Sequence, residues 1–276
     1  MRKLFNEKKQ KAKDHNKPHR DQSYCLVVDY AQNMDLPHFG LEQPGETYYY
    51  SPLSVYCLGI VDLSGNQWQL YTNLYHKGND AKGGNNVASL IVKVLKQMEL
   101  LNEDEKGFEL NLVMDNCGGQ NKNRMVLRLT LWLVECGYFK TVNMIFLVCG
   151  HTKNPSDVTF NLLKGEYHRS NIFCFDDLVT ILSSEQVPML TVEEGDFEDW
   201  DSFFDAFYNK FETGTVQKNY IFSVSEDNGA TMMSIYEADG EPVVQERNFK
   251  KRGTGTAESR VEAMEAYVRK VLASPG

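Results

Sequence analysis

Two short apolar runs that each stop on an aspartate constrain this chain most. They are CLVVD, ending at Asp29, and NLVMD, ending at Asp115. Three or four consecutive apolar residues without polar alternation suit a strand buried on both faces, as in a parallel sheet covered by helices. A carboxylate at the end of such a strand has just left the core. Two residues earlier it would be buried at much higher cost. In an open α/β sheet, ligands bind outside the carboxyl ends of the strands.

The segments between these runs predict the connections. SVYCLGIVDL and QWQLYTNLYH read as two strands joined by a hairpin at Ser64-Gly65-Asn66. NVASLIVKVLKQMELL is apolar at helical spacing, with Asn86 as an N-cap. A helix is expected over KNRMVLRLTLWLVECG, with Gly137 closing it. TVNMIFLVCG is a further buried strand. A helix then opens at Pro155, with Asn154 as its cap. MDLPHFGLEQPGET reads as a loop. The order βββαβαβα predicts an α/β fold with a mixed sheet and helices on its faces, the order of a ribonuclease-H-like sheet.

The expected organisation is a basic N-terminal arm over 1–21, solvated or a frayed helix, a core over 22–169 and an accessory α+β lobe over 170–276. Residues 1–20 carry eight Lys/Arg against two Asp/Glu, whereas the whole chain has a net charge of −9. Excess acid argues against a broad basic nucleic-acid groove. The lobe contains EEGDFEDWDSFFD, with seven acids and no base, and a strand pair around Asp227-Asn228-Gly229. The six cysteines form no CxxC pair, so a zinc knuckle is not expected. They read as reduced, mostly buried thiols of an intracellular protein. No apolar run is long enough to span a bilayer, and no secretory h-region precedes the core.

If the strands ending at Asp29 and Asp115 are neighbours, their carboxylates repel by roughly 3 kcal/mol at ~5 Å and an effective dielectric near 20. No Lys or Arg lies beside Asp29 in sequence. An all-oxygen site of this kind suits Mg²⁺ or Mn²⁺. Asp157 is the third candidate. It falls at the third helical position, where a carboxylate also favours the helix start, and the two roles are compatible. Glu166 is a substitute ligand, while Asp35 and Asp62 read as solvated acids. His151, at the same rim, could ligate a metal, protonate a leaving group, contact phosphate or simply bond to backbone. The loop after Asp115 offers Gln120, Asn121, Lys122 and Asn123 to nucleic acid, or else turns tightly into its helix. Cys117 has no histidine at a spacing that suggests a cysteine hydrolase.

VVDYAQN, YYYSPLSVYCLGIVDLSGNQWQLY, KGGNNVASLIVKVL, VMDNCGGQNKNR and FLVCGHTKNPSDVTFNLLK occur in this order. Together they resemble a ribonuclease-H-like domain of unknown function from eukaryotic mobile-element proteins. DNCGGQNKN and GHTxxxxD carry the resemblance as a pair. It implies a DDE/DDD-type transposase core or a descendant, with catalytic Asp29, Asp115, Asp157 and His151, and the three aspartates as ligands for two Mg²⁺ or Mn²⁺ ions. The implied activity is phosphodiester cleavage or strand transfer on DNA, or on an RNA–DNA hybrid, in the nucleus, with no membrane partner and an oligomer compatible. The lack of an upstream zinc motif suggests a truncated or domesticated copy. The competing expectation is an inactive scaffold whose acidic lobe meets a basic partner.

Overall fold

The computed structural model describes residues 2–13, 23–64, 68–101, 108–147, 155–183, 189–209, 213–225, 229–233, 244–247, 259, 262–264 and 266–267. These form an α/β fold on one mixed sheet. Its strands are β1 (Ser23–Tyr30), β2 (Met34–Leu36), β3 (Leu53–Asp62), β4 (Gln69–His76), β5 (Glu109–Met114), β6 (Thr141–Phe146), β7 (Met189–Thr191), β8 (Ile221–Ser225), β9 (Gly229–Met233) and β10 (Val244–Arg247). Their spatial order is β10-β9-β8-β6-β5-β1-β3-β4-β7, with β2 paired to β3. β1, β5 and β6 run parallel at the centre. β3 and β4 form the antiparallel pair expected beside β1.

Helices cover both faces, which is why the central strands are continuous apolar runs rather than alternating ones. Leu26 and Val28 of β1 join one core with α2 (Gly84–Gln97), α3 (Arg124–Glu135) and α6 (Trp200–Phe207). Cys25 and Val27 join the other, with α1 (Arg2–Lys13), α4 (Pro155–Arg169) and α5 (Phe175–Leu182). Gly137 takes φ +74° just past α3, the left-handed closure expected there.

Several local expectations change. α2 begins at Gly84, and Asn86 lies within its first turn, donating to Asp80 at 3.0 Å rather than capping. A side chain at Gly84 would meet Asn123 Oδ1 at 2.8 Å, so glycine lets the starts of α2 and α3 approach. The Pro/Gly-rich loop contains β2 and a 3₁₀ turn over Gly45–Tyr49. Residues 2–13 are neither a solvated arm nor a frayed helix. They form a helix that buries Phe5 and Ala12 and pairs Lys8 and Lys11 with Glu109 of β5.

The strands after residue 169 extend the same sheet. β7 joins the β4 edge, and β8 joins the β6 edge with β9 and β10 beyond it. The short α7 (Thr213–Lys218) precedes β8. The acidic segment faces inward in part. Arg128, fully buried, binds Asp205 at 2.7 Å; Arg124 binds Asp201 at 2.7 Å and Lys93 binds Asp196 at 2.8 Å. Five cysteines are free thiols, of which Cys25, Cys57 and Cys136 are buried; Cys149 lies outside the described residues. Among the described residues no helix is long and apolar enough to cross a membrane.

Candidate carboxylate site

Register places the two strand-end acids side by side. β1 and β5 are parallel neighbours, and Val28 is level with Met114 at the last paired position. Asp29 and Asp115 come next on each strand, with backbones about 4.8 Å apart in an ordinary sheet. Alternation puts both on the face of Cys25, Val27 and Val113, which is the face covered by α4. Asp29 is the penultimate residue of β1, and Asp115 is the first residue beyond β5.

α4 is drawn onto this rim by a glycine. Asp29 is paired across the sheet with Gly59 of β3. A Cβ at Gly59 would lie 2.5 Å from the ring of Phe160 in α4. Only glycine therefore lets the helix seat here. Its first turn then reaches the acids: Ser156 Oγ donates to Asp29 Oδ2 at 3.2 Å, and the exposed Asp157 is adjacent.

The electrostatics follow from this crowding. The Asp29 carboxyl is pushed up from 3.8 to about 6, first by burial, then by the Asp115 charge and more weakly by Asp157. The Ser156 hydroxyl and the Tyr30 backbone oppose that rise. Asp115 is held by Asn121 Nδ2 and by the Cys117 backbone N–H at 3.4 Å. Asp115 and Asp157 thus both act on Asp29 at one end of the sheet. Among the described residues, no group of three or more His, Cys, Asp or Glu is gathered closely enough to hold a metal ion by itself.

The loop residues have divided roles. Asn121 is fully buried and orients Asp115. Asn123 caps α3, accepting from the Met125 and Val126 N–H groups at 2.9 and 3.1 Å. Lys122 turns into the protein, donating to the Gln217 carbonyl at 2.8 Å with its ammonium 4.0 Å from the Tyr220 ring centroid. Burial lowers its pKa to about 8. Gln120 keeps a half-exposed side chain. His151 lies outside the described residues. Glu166 pairs with Arg169 at 2.6 Å, Asp35 accepts from Ser54 at 2.6 Å, and Asp62 accepts from the Ser64 N–H at 2.8 Å.

One cation missing from the sequence reading stands at the rim. Lys82 donates to Asn33 at 2.6 Å, and its ammonium lies 4.5 Å from the Tyr30 ring centroid and 5.0 Å from that of Tyr56. Burial lowers its pKa, while its neighbours Cys57, Cys117 and Asp29 oppose that fall. Asp29 thus has a lysine within electrostatic reach, although none is near it in sequence. The signal was available. β4 runs parallel to β1, so the turn that follows it must emerge at the same sheet end.

No curated protein matches the chain. Among solved structures, the crystal structure of NurA is similar at 9% identity and a TM-score of 0.16, over 98% of this chain and 59% of that one, a likeness too slight to define a fold. The chain thus spans about three-fifths of that structure's length. A family described as a domain of unknown function, DUF7869, matches residues 47–239, a span that includes Asp115 and Asp157 and starts after Asp29. On that match, which covers more than half its length, the chain belongs to the DUF7869 family.

Proposed function

We propose that this chain is a nuclease- or transposase-like protein of ribonuclease-H-like type, descended from a mobile element, that cleaves or transfers phosphodiester bonds. The observation that carries the reading is the pairing of Asp29 and Asp115 on neighbouring parallel strands, with Asp157 brought to the same face by α4. The central order β4-β3-β1-β5-β6, an antiparallel meander followed by two parallel strands, supports it. So does the crossover helix α3 between β5 and β6.

The donor chemistry fits Mg²⁺ or Mn²⁺. Carboxylate oxygens are hard ligands, and a buried acid raised by its neighbours gains from a cation. Two such ions, when bound, would activate the attacking oxygen and stabilise the leaving one. Asp29, Asp115 and Asp157 would hold them. Mg²⁺ commonly binds through one or two carboxylates and substrate phosphates, which suits a pair of strand-end acids. Asn121 fixes the Asp115 carboxylate, Ser156 fixes that of Asp29, and Lys82 adds a positive charge where a phosphate would enter.

Asp115→Asn should abolish Mg²⁺- or Mn²⁺-dependent cleavage of labelled single-stranded DNA, duplex DNA and RNA–DNA hybrid while preserving the thermal melt. Cleavage retained by that variant sinks the assignment. The scaffold reading predicts no heat above background on calorimetric titration with Mn²⁺. Its acidic partner surface is reduced by the internal pairing of Asp196, Asp201 and Asp205.

A further inference from the structure

A cleft of about 470 Å³ opens beside the carboxylate rim. One wall is the segment after β1, including Gln32, Asn33, His38 and Tyr50; the other is α4, through Lys164, Tyr167 and His168. The walls are pinned together. The Tyr167 hydroxyl donates to the Asp35 carbonyl at 2.8 Å and accepts from the Asp35 N–H at 3.0 Å. The His38 ring stacks on Tyr167 with centroids 3.9 Å apart. The cleft is therefore held open by the fold and does not depend on a ligand to form it.

Three features in and around this cleft are unexplained by folding. Tyr48, Tyr49 and Tyr50 are consecutive and 87%, 85% and 70% exposed, so they contribute little to the core, and Tyr50 lines the cleft. Large aromatic rings set together in water mark a contact surface. Asp157, Asn161, Lys164 and His168 follow a four-three-four spacing, one stripe of α4, beside the buried stripe of Phe160, Leu163 and Tyr167. At 1.5 Å per residue that stripe runs about 10 Å from the site acid to Lys164 and about 16 Å to His168. Finally, His38 Nε2 is buried and has no hydrogen-bond partner among the described residues.

Flat exposed rings beside a lysine suit bases beside phosphates, because every base has a face to stack and every linkage carries a negative charge. A duplex hides its base faces, so the rings favour an unpaired strand. We propose that this cleft binds the single-stranded nucleic acid flanking the bond presented to Asp29 and Asp115, with Tyr50 stacking on a base and Lys164 and His168 holding phosphates. This rests on the carboxylate reading for its polarity, since Gln32 and Asn33 lead directly from β1 into the cleft. Binding itself requires no catalysis.

The test is fluorescence anisotropy with a fluorescein-labelled oligodeoxythymidine of about twelve nucleotides, within the range of known single-strand sites. It is run on the full chain in EDTA, so that cleavage does not intervene. Tyr50→Ala should weaken binding roughly tenfold. Lys164→Glu should weaken it and flatten its dependence on salt. Trp68→Ala, an exposed ring outside the cleft, should bind as the unaltered protein does. Thermal melts confirm that each variant folds. The proposal is overturned if the tyrosine variant binds within twofold of the unaltered protein. It is equally overturned if the unaltered protein binds a blunt duplex as tightly as the single strand. Tyrosine-dependent binding without metal-dependent cleavage would remove the nuclease reading and leave the cleft assignment standing.

Discussion

Asp29→Asn should stabilise this protein, by an amount set by pH. In the folded chain the Asp29 carboxyl holds its proton up to about pH 6, against 3.8 for an ordinary aspartate. The native state therefore binds more protons than the unfolded state between those values, and stability falls as pH rises through that window. Above the folded value the whole penalty is present. At 1.36 kcal/mol per pKa unit it amounts to about 3 kcal/mol. Asparagine is isosteric, carries no charge to desolvate and can still accept from Ser156. The variant's advantage should be ~0.5 kcal/mol at pH 4, ~1.6 at pH 5 and ~3 at pH 8. Urea denaturation of both proteins across that range, followed by circular dichroism, measures it. Added Mn²⁺ at pH 8 should raise the stability of the unaltered protein more than that of the variant, because only the former keeps the full carboxylate set. A difference that does not grow with pH would refute the crowding of Asp29 by burial and by Asp115.

The seating of α4 and the docking of α6 can be probed in the same way. Gly59→Ala places a methyl 2.5 Å from the Phe160 ring and should cost about 1–3 kcal/mol in urea denaturation, the range for overpacking a filled core. Because it pushes the start of α4 away, it should also lower the Asp29 pKa read by NMR. Asp205→Ala removes a 2.7 Å partner from the fully buried Arg128 and should cost about 2–3 kcal/mol. Asp176→Ala, an acid on the exposed side of α5, should change stability by less than about 0.5 kcal/mol.

What could be read beforehand follows from how local each determinant is. β1 and β5 are legible because an unbroken apolar run ended by an acid describes a buried strand and its exit. The close of α3 at Gly137 and the start of α4 at Pro155 are legible because glycine and proline act on their own residues. β2 was hidden because three residues beside Pro37 have no periodicity, and their pairing with β3 is decided by tertiary contact. The packing of α1 was hidden because Phe5 and Ala12 stand among lysines, and the carboxylate that receives Lys8 and Lys11 is about a hundred residues away at Glu109. Lys122 misled for a similar reason. A lysine in a polar loop looks solvated until the Gln217 carbonyl and the Tyr220 ring close over it. Arg128 gave a usable sign, since an arginine in the middle of RMVLRLTLWLVE must find a carboxylate, and the acid-rich segment near Asp205 supplies one.

The sheet's two flanks have a consequence for how the molecule comes into being. β7 and β8 both lie after residue 169, and they close opposite sides of a sheet whose middle is made earlier, at β4 and β6. A nascent chain that has just delivered α4 therefore carries the acids and their helix but presents two unpaired strand borders, each a template for sticking to another chain. Long-range pairing of this kind is slow to form. The rim that gathers Asp29, Asp115 and Asp157 is thus built before the protein is safe from its neighbours, and the last third of the chain acts as its finishing hem.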